Sequence, residues 1–192
     1  MKQFVVGTYA ILFFGCASAP LNEKNSYSDE IDRKTVSVLA YDGMYNVMDA
    51  YATLLDKEIL NSQLQRKVAF YKWPDTKLRD EREKAIQDES QSTKFFLSFY
   101  TPDSRYDDLN KTKTIWKIFL EVDGRQFDAT VEKASGTLIE LQSLYPFHSR
   151  WSTGYILTFP VPTDSVAGHP CKLIISSPLA TKAFAFNRPE SQ

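Results

Sequence analysis

The strongest constraint on the fold is an Asp-Gly pair, Asp123-Gly124, that lies between two runs of alternating apolar and polar residues. Alternation with a period of two is the pattern of a strand that buries one face. An Asp-Gly pair between such runs favours the two-residue type I′ turn of a β-hairpin. The apolar positions are Trp116, Ile118, Leu120 and Val122 before the pair and Phe127, Ala129 and Val131 after it. The pattern therefore predicts two antiparallel strands, the second covering residues 125–132.

Further short strands are predicted across the C-terminal half of the chain. One begins near Lys94 and places Phe95, Leu97 and Phe99 on a single face. The others cover residues 137–144, 153–161, 171–177 and 181–186, and Gly and Pro residues separate them. Short strands with this spacing are typical of a sandwich or an open barrel.

The region before residue 93 has a different pattern. After a β-like run over 35–41, which Asp42-Gly43 ends as a turn, apolar residues recur at helical spacing from Met44 to about Tyr71. Asn61-Ser62 divides this stretch, with Ser62 as the expected cap of a second helix. A charged surface helix is expected from Asp75 or Thr76 to about Gln91. The fold prediction is α+β: two or three N-terminal helices packed on one face or end of an antiparallel β-sandwich, immunoglobulin-like or related, of six to eight strands.

The N-terminal segment has the order of a secretory signal: a positive charge at Lys2, an apolar stretch over 4–14, and small residues around a processing site. The apolar stretch is about half the roughly 20 residues that a spanning helix needs. It ends in Phe13-Phe14-Gly15-Cys16, which resembles the lipobox of bacterial lipoproteins, and the resemblance implies that Cys16 carries the lipid. The alternatives are plain secretion with cleavage after Ala19, which Pro20 disfavours, and a retained anchor.

These features divide the chain into a signal peptide (1–15), a flexible tether (16–33) and one globular domain (34–188), mainly helical over 34–92 and a β-sandwich over 93–188. The expected location is the cell envelope, anchored by lipid on Cys16 to a membrane, with plain secretion or a periplasmic location as the alternative. Ala17 stands where many inner-membrane lipoproteins carry Asp, so the resemblance implies the outer membrane.

A second resemblance rests on diffuse aromatic and Pro positions: the run 94–103, Trp116, the run 144–147 and the run 155–160. Over about residues 36–186 the chain resembles predicted lipoproteins of unknown function from Gram-negative bacteria. This resemblance implies a fold and a location and assigns no functional residue.

Composition narrows the partners and the chemistry. The 23 basic and 24 acidic residues nearly balance, which disfavours nucleic acid as a partner. Of the two cysteines, lipidation of Cys16 would leave Cys171 without a mate, and its alternation with Leu173 predicts a buried thiol. No Gly-x-Ser-x-Gly, P-loop or close His/Cys pair occurs, so we expect no metal and no cofactor.

The richest loop gathers aromatic residues, an Arg and a His. Its candidate ligand contacts are Tyr145, Phe147, His148, Arg150 and Trp151. Aromatic loops stack on ligands, but they also close the ends of sandwiches, and the structural role is favoured here. The predicted function is a non-catalytic envelope lipoprotein that holds another protein; the alternatives are a ligand-binding module using this loop and, last, a hydrolase built on His148 or His169. An oxygen-ligand site over 103–110 is disfavoured relative to a solvated turn.

Overall fold

The computed structural model describes residues 26–187. The signal peptide, Cys16 and the first part of the tether lie outside this range. The helices are α1 (Ser26–Arg33), α2 (Lys57–Tyr71), α3 (Asp75–Gln91) and α4 (Leu138–Leu144). The strands are β1 (Thr35–Asp42), β2 (Tyr45–Leu54), β3 (Thr93–Tyr100), β4 (Lys117–Val122), β5 (Arg125–Asp128), β6 (Thr130–Lys133), β7 (Thr153–Phe159), β8 (Cys171–Ser176) and β9 (Thr181–Phe186).

The strands form two antiparallel sheets, which confirms the α+β, antiparallel prediction at this level. The large sheet has the order β1-β2-β3-β7-β6 and the small sheet the order β5-β4-β8-β9. The β4–β5 hairpin turns at Asp123-Gly124, whose φ values of 49° and 73° are both positive, as a type I′ turn requires.

One apolar core joins the inner faces of the two sheets. The predicted alternating residues supply it from both sides: Phe95, Leu97 and Phe99 from β3, Trp116 before β4, and Ile118, Leu120 and Val122 from β4. The prediction of one strand over 125–132 is wrong, because the chain passes from the small sheet to the large sheet at Ala129. Ala129 still donates its N–H to the Ile118 carbonyl (3.0 Å), and β6 then pairs with β7.

The outer face of the large sheet carries a second apolar cluster. Tyr27 and Ile31 of α1 and Ile59 of α2 pack there with Leu55, Phe96 and Tyr145. Strand β3 is therefore buried on both faces, since Phe95 and Phe96 are both 0% exposed although they point in opposite directions. The large sheet lies between the small sheet and a layer of helices.

Two predictions before residue 93 are corrected. The stretch from Met44 begins as strand β2, in which Met48, Ala50, Ala52 and Leu54 alternate into the core, and not as a helix. Pairing with β1 decides this, because a short apolar run can satisfy both periods and the partner strand lies earlier in the chain. The helix that follows is capped by Asp56 and not by Ser62: the Asp56 carboxylate accepts the Ile59 N–H (3.2 Å).

Two further segments also differ from expectation. Residues 138–144 form α4 and not a strand, because Thr137 and Glu140 make a reciprocal capping box at its start. Residues 26–33, predicted as the end of the tether, form α1, whose Tyr27 and Ile31 are buried. The tether is thus shortened to the residues before Ser26. Helix α3 spans the residues where a charged helix was expected, and none of its residues is buried.

Within residues 26–187, no helix is long and apolar enough to cross a membrane.

Candidate functional site

The aromatic loop that follows α4 packs mainly against the outer face of the large sheet. The Tyr145 ring stacks on Phe96, with centroids 3.5 Å apart and planes 3° from parallel. The Phe147 ring stacks on Tyr51 of β2 at 5.2 Å. Tyr145 is buried and Phe147 half-buried, so two of the five predicted ligand contacts cover the sheet.

A glycine on the neighbouring strand makes this packing possible. Gly154 of β7 lies beside Phe96, and a β-carbon at position 154 would be 3.1 Å from the Phe96 ring and 3.2 Å from the Ala134 β-carbon. These distances are too short for an unstrained side chain. The absence of a side chain at 154 therefore creates the space that the Phe96 ring occupies.

His148 is a buried structural residue. Its Nδ1 lies 2.8 Å from the Ser98 Oγ, and burial holds the pKa of the imidazole below its usual value. The neutral ring is therefore the form that fits this site. Gln142 donates from Nε2 to the His148 carbonyl (3.0 Å), which ties α4 to the loop.

The Ser98–His148 pair has the two members of a Ser–His nucleophile but not its access. Ser98 is 0% exposed and His148 is 3% exposed. A substrate cannot approach the Ser98 Oγ without displacing the loop, so this contact supports packing and not acyl transfer. The other histidine, His169, donates no side chain to this pair; its backbone carbonyl accepts the Asn187 Nδ2 N–H at 2.9 Å.

Arg150 and Trp151 differ from the other three predicted contacts, because both are exposed. Trp151 is 75% exposed, and its backbone N–H is held by the Ser149 Oγ at 3.2 Å. The structure thus separates the predicted site into a packed part (Tyr145, Phe147, His148) and an exposed tip (Arg150, Trp151). The five side chains do not surround a common concavity.

Buried polar groups beneath α1 hold the helix layer together. Tyr27 donates its hydroxyl to the Leu144 carbonyl (2.6 Å), and burial raises the pKa of Tyr27 to about 12. Burial also raises the pKa of Tyr145, and Gln63 of α2 lies between the two tyrosines. The Arg66 guanidinium lies 4.3 Å from the Tyr27 ring centroid. These phenols are hydrogen-bonding supports that stay protonated at neutral pH.

The acidic loop over 103–110 uses its carboxylates internally. Arg105 holds the pKa of Asp103 down at about 2 through side-chain and backbone hydrogen bonds. Asp107 accepts hydroxyl bonds from Thr153 (2.5 Å) and Tyr155 (2.8 Å), which fastens the loop to β7. Within residues 26–187, no group of three or more His, Cys, Asp or Glu residues is placed to hold a metal ion.

Two cavities lie away from the aromatic loop. One of about 350 Å³ opens between β4 and β6, with Trp116 at its wall and Lys111, Lys117 and Asp128 around it. Another of about 350 Å³ lies beside the Asp123-Gly124 turn and includes Cys171. Cys171 is 4% exposed, and burial raises the pKa of its thiol to about 11. The thiol is therefore protonated and unreactive at neutral pH, and the prediction of a buried free cysteine is confirmed.

Sequence reasoning missed one prominent surface feature. Leu39, Tyr41, Met44 and Tyr45 are all more than half exposed and lie together on the β1–β2 hairpin. Their apolar spacing was assigned to a helix. Gly43 between two runs of strand-forming residues is the local signal that would have indicated a hairpin turn there.

Comparison with protein-family models, with curated proteins and with solved structures finds no match to this chain.

Proposed function

We propose that this protein is a lipid-anchored envelope protein whose domain acts as a non-catalytic interaction module. The observation that carries the proposal is the division of the aromatic loop. Its imidazole and two of its rings are consumed in covering the large sheet, while large apolar side chains remain exposed elsewhere. Exposed apolar clusters rimmed by polar residues mark surfaces that bind proteins or membranes.

One such cluster lies where α2 ends and α4 begins. Phe70 and Tyr71 of α2 are 51% and 46% exposed, and Leu138 and Ile139 of α4 are 41% and 79% exposed. A hydrogen bond from the Tyr71 hydroxyl to the Glu140 carboxylate joins the two helices. We call these four residues the α2–α4 patch and propose it as the surface that contacts another envelope protein.

The frame that carries the patch supports the same role. We propose that the two sheets form a β-sandwich of the broad class that includes immunoglobulin-like folds, since they share one core through their inner faces. Such sandwiches present loops and added elements to partners on a rigid support. The helix layer supplies the patch here.

Lipidation is tested by the mass and location of the mature protein. The intact mass should equal that of residues 16–192 plus acyl chains, and the protein should be released from the membrane fraction only by detergent. Cys16→Ser should abolish both properties. A parent protein whose mass lacks acyl chains would refute the anchor.

The interaction surface is tested by site-specific photo-crosslinking in the native envelope. A photoreactive residue at Ile139 should yield one discrete adduct of constant mass. A matched position on α3, the exposed Glu83, should yield none. Adducts of equal yield from both positions, or none from Ile139, would count against the α2–α4 patch.

The ligand-binding alternative is confined to the exposed part of the loop. Arg150 and Trp151 are the two predicted contacts that a ligand can reach without unpacking the sheet. A ligand that stacks on Trp151 should change its fluorescence, and Trp151→Ala should remove that response.

A further inference from the structure

The β1–β2 hairpin extends beyond the rest of the large sheet. β3 ends at Tyr100, which pairs with Asp49, whereas β2 begins four residues earlier, at Tyr45. At about 3.3 Å per residue the hairpin projects roughly 13 Å past its neighbour strand. Gly43, with φ of +60°, takes the first central position of the turn, as in a type II′ turn. This leaves Met44 at the apex.

The projecting part is covered with apolar and aromatic side chains. Met44 is 95% exposed, Tyr45 82%, Tyr41 59% and Leu39 51%. We call these four residues the hairpin tip. Burying none of them in the domain leaves their apolar surface in water, which is unfavourable unless another phase or molecule covers it. The tip is convex, so its complement is a soft or extended surface.

Other loops at the same end of the domain carry similar residues. The exposed Trp151 lies two residues before Thr153, which pairs with Phe99 near the end of β3. The turn between β8 and β9 holds Leu179, 43% exposed. It lies at this end because β4, which starts after Trp116, pairs with β8, and the Trp116 ring contacts Phe99 at 5.4 Å.

The residue types favour a lipid bilayer over a protein partner as the occupant. Tyr and Trp have an apolar ring and a polar atom, and they concentrate where a membrane meets water. Asp42 is the single charged residue over 39–45, and no Lys or Arg lies there to demand an anionic headgroup. A neutral, aromatic, convex tip fits the headgroup boundary of a zwitterionic bilayer.

The length of chain before α1 is compatible with this placement. Ten peptide steps separate Cys16 from Ser26, where α1 begins, and these steps span at most about 33–36 Å. A domain on such a tether stays within reach of the bilayer that holds its acyl chains. Tethering raises the effective concentration of the tip at that surface, so even a weak tip affinity is sufficient.

We propose that the hairpin tip inserts into the interfacial layer of the bilayer that carries the protein. The full arrangement rests on the proposed lipid anchor, but the affinity of the tip for lipid does not. Insertion gives the domain a second point of attachment and so restricts its orientation on the membrane.

Insertion is tested by placing a polarity-sensitive dye on the lipidated protein in phosphatidylcholine vesicles that contain doxyl-labelled lipid. The dye is attached to Met44→Cys and, as a matched control, to Ile139→Cys, which is 79% exposed on α4. Strong quenching at position 44 with little at 139 is expected. Equal quenching at the two positions, or none at 44, would overturn the proposal and leave the tip for a protein partner.

A second experiment removes the anchor. A chain that starts at residue 16 with Cys16→Met retains residues 26–187 and has neither signal peptide nor acyl chain. In vesicle flotation, adding Met44→Asp and Tyr45→Asp should lower the bound fraction at least threefold, whereas Ile139→Asp should not. Equal flotation of the parent and the tip variant overturns the insertion. Loss of the acyl mass alone refutes the anchor and leaves this measurement valid.

Discussion

The two faces of the large sheet are buried in different ways. The inner face meets the small sheet through apolar side chains, with Phe95, Leu97 and Leu157 almost fully buried. The outer face buries polar groups among its rings: Thr53 and Ser98 are 0% exposed. Thr53 shares a hydroxyl hydrogen bond of 2.7 Å with Thr35, and Ser98 bonds to His148. A sheet that receives helices and a loop on one face needs specific partners there, whereas the opposite face needs only apolar volume.

This contrast is tested most strongly by removing one ring from each face. Phe95→Ala and Phe96→Ala should each lower the free energy of unfolding by about 3–5 kcal/mol, because both rings are fully buried. The effects should differ in location. Native-state hydrogen exchange of Phe96→Ala should lose protection first in α1 and α4 and retain it in β4, β8 and β9. Uniform loss in both variants would show that the two layers unfold as one unit.

The outer face should also resist added volume. Gly154→Ala should lower stability by about 1–3 kcal/mol, because its β-carbon would crowd the Phe96 ring. In a double-mutant cycle, Phe96→Leu should relieve part of this cost, whereas Leu120→Val, in the other core, should not. Full additivity of Gly154→Ala with Phe96→Leu would contradict the contact.

The polar pair on the outer face should contribute less than the rings. Ser98→Ala leaves the His148 Nδ1 without its partner in a buried site, which should cost about 1–3 kcal/mol by urea unfolding. Ser90→Ala, on the exposed face of α3, is the control and should change stability by less than about 0.5 kcal/mol. A Ser98→Ala variant as stable as the Ser90→Ala variant would remove the proposed role of this bond.

The same pair should make the outer face sensitive to acid. Because burial lowers the pKa of His148 in the folded state, the folded protein binds its proton less readily than the unfolded chain does. The stability from the neutral ring is complete above the unfolded pKa of about 6.5 and is lost as pH falls from there through the folded pKa. Its slope cannot exceed about 1.4 kcal/mol per pH unit for one proton. His148→Gln should flatten the urea stability curve between pH 7 and pH 5; an unchanged curve would contradict the assignment.

The smallest effect is expected at the hairpin tip, which belongs to neither core. Met44→Asp should change the melting temperature little, corresponding to less than about 0.5 kcal/mol, because the Met44 side chain is almost fully exposed. A large destabilisation would mean that the tip packs against the domain, and it would weaken its proposed insertion into a bilayer.

Local pattern was sufficient for the inner core. The alternation of Ile118, Leu120 and Val122, and the Asp123-Gly124 turn, report directly on a strand that buries one face and reverses. The capping box of Thr137 and Glu140 was an equally local signal for α4, but the apolar residues around it also fitted a strand. Such short runs are ambiguous until a cap or a partner decides between the two periods.

Tertiary structure alone decided the outer face, the hairpin and the candidate site. Whether Met44 starts a helix or projects from a strand depends on pairing with β1, and whether Phe96 is buried depends on α1, α2 and Tyr145. The sequence by itself determined the antiparallel inner core and the buried Cys171, because alternation reports the face of a strand. It could not determine that His148 would be packed and Trp151 exposed, because that division depends on contacts with β3 made fifty residues away along the chain.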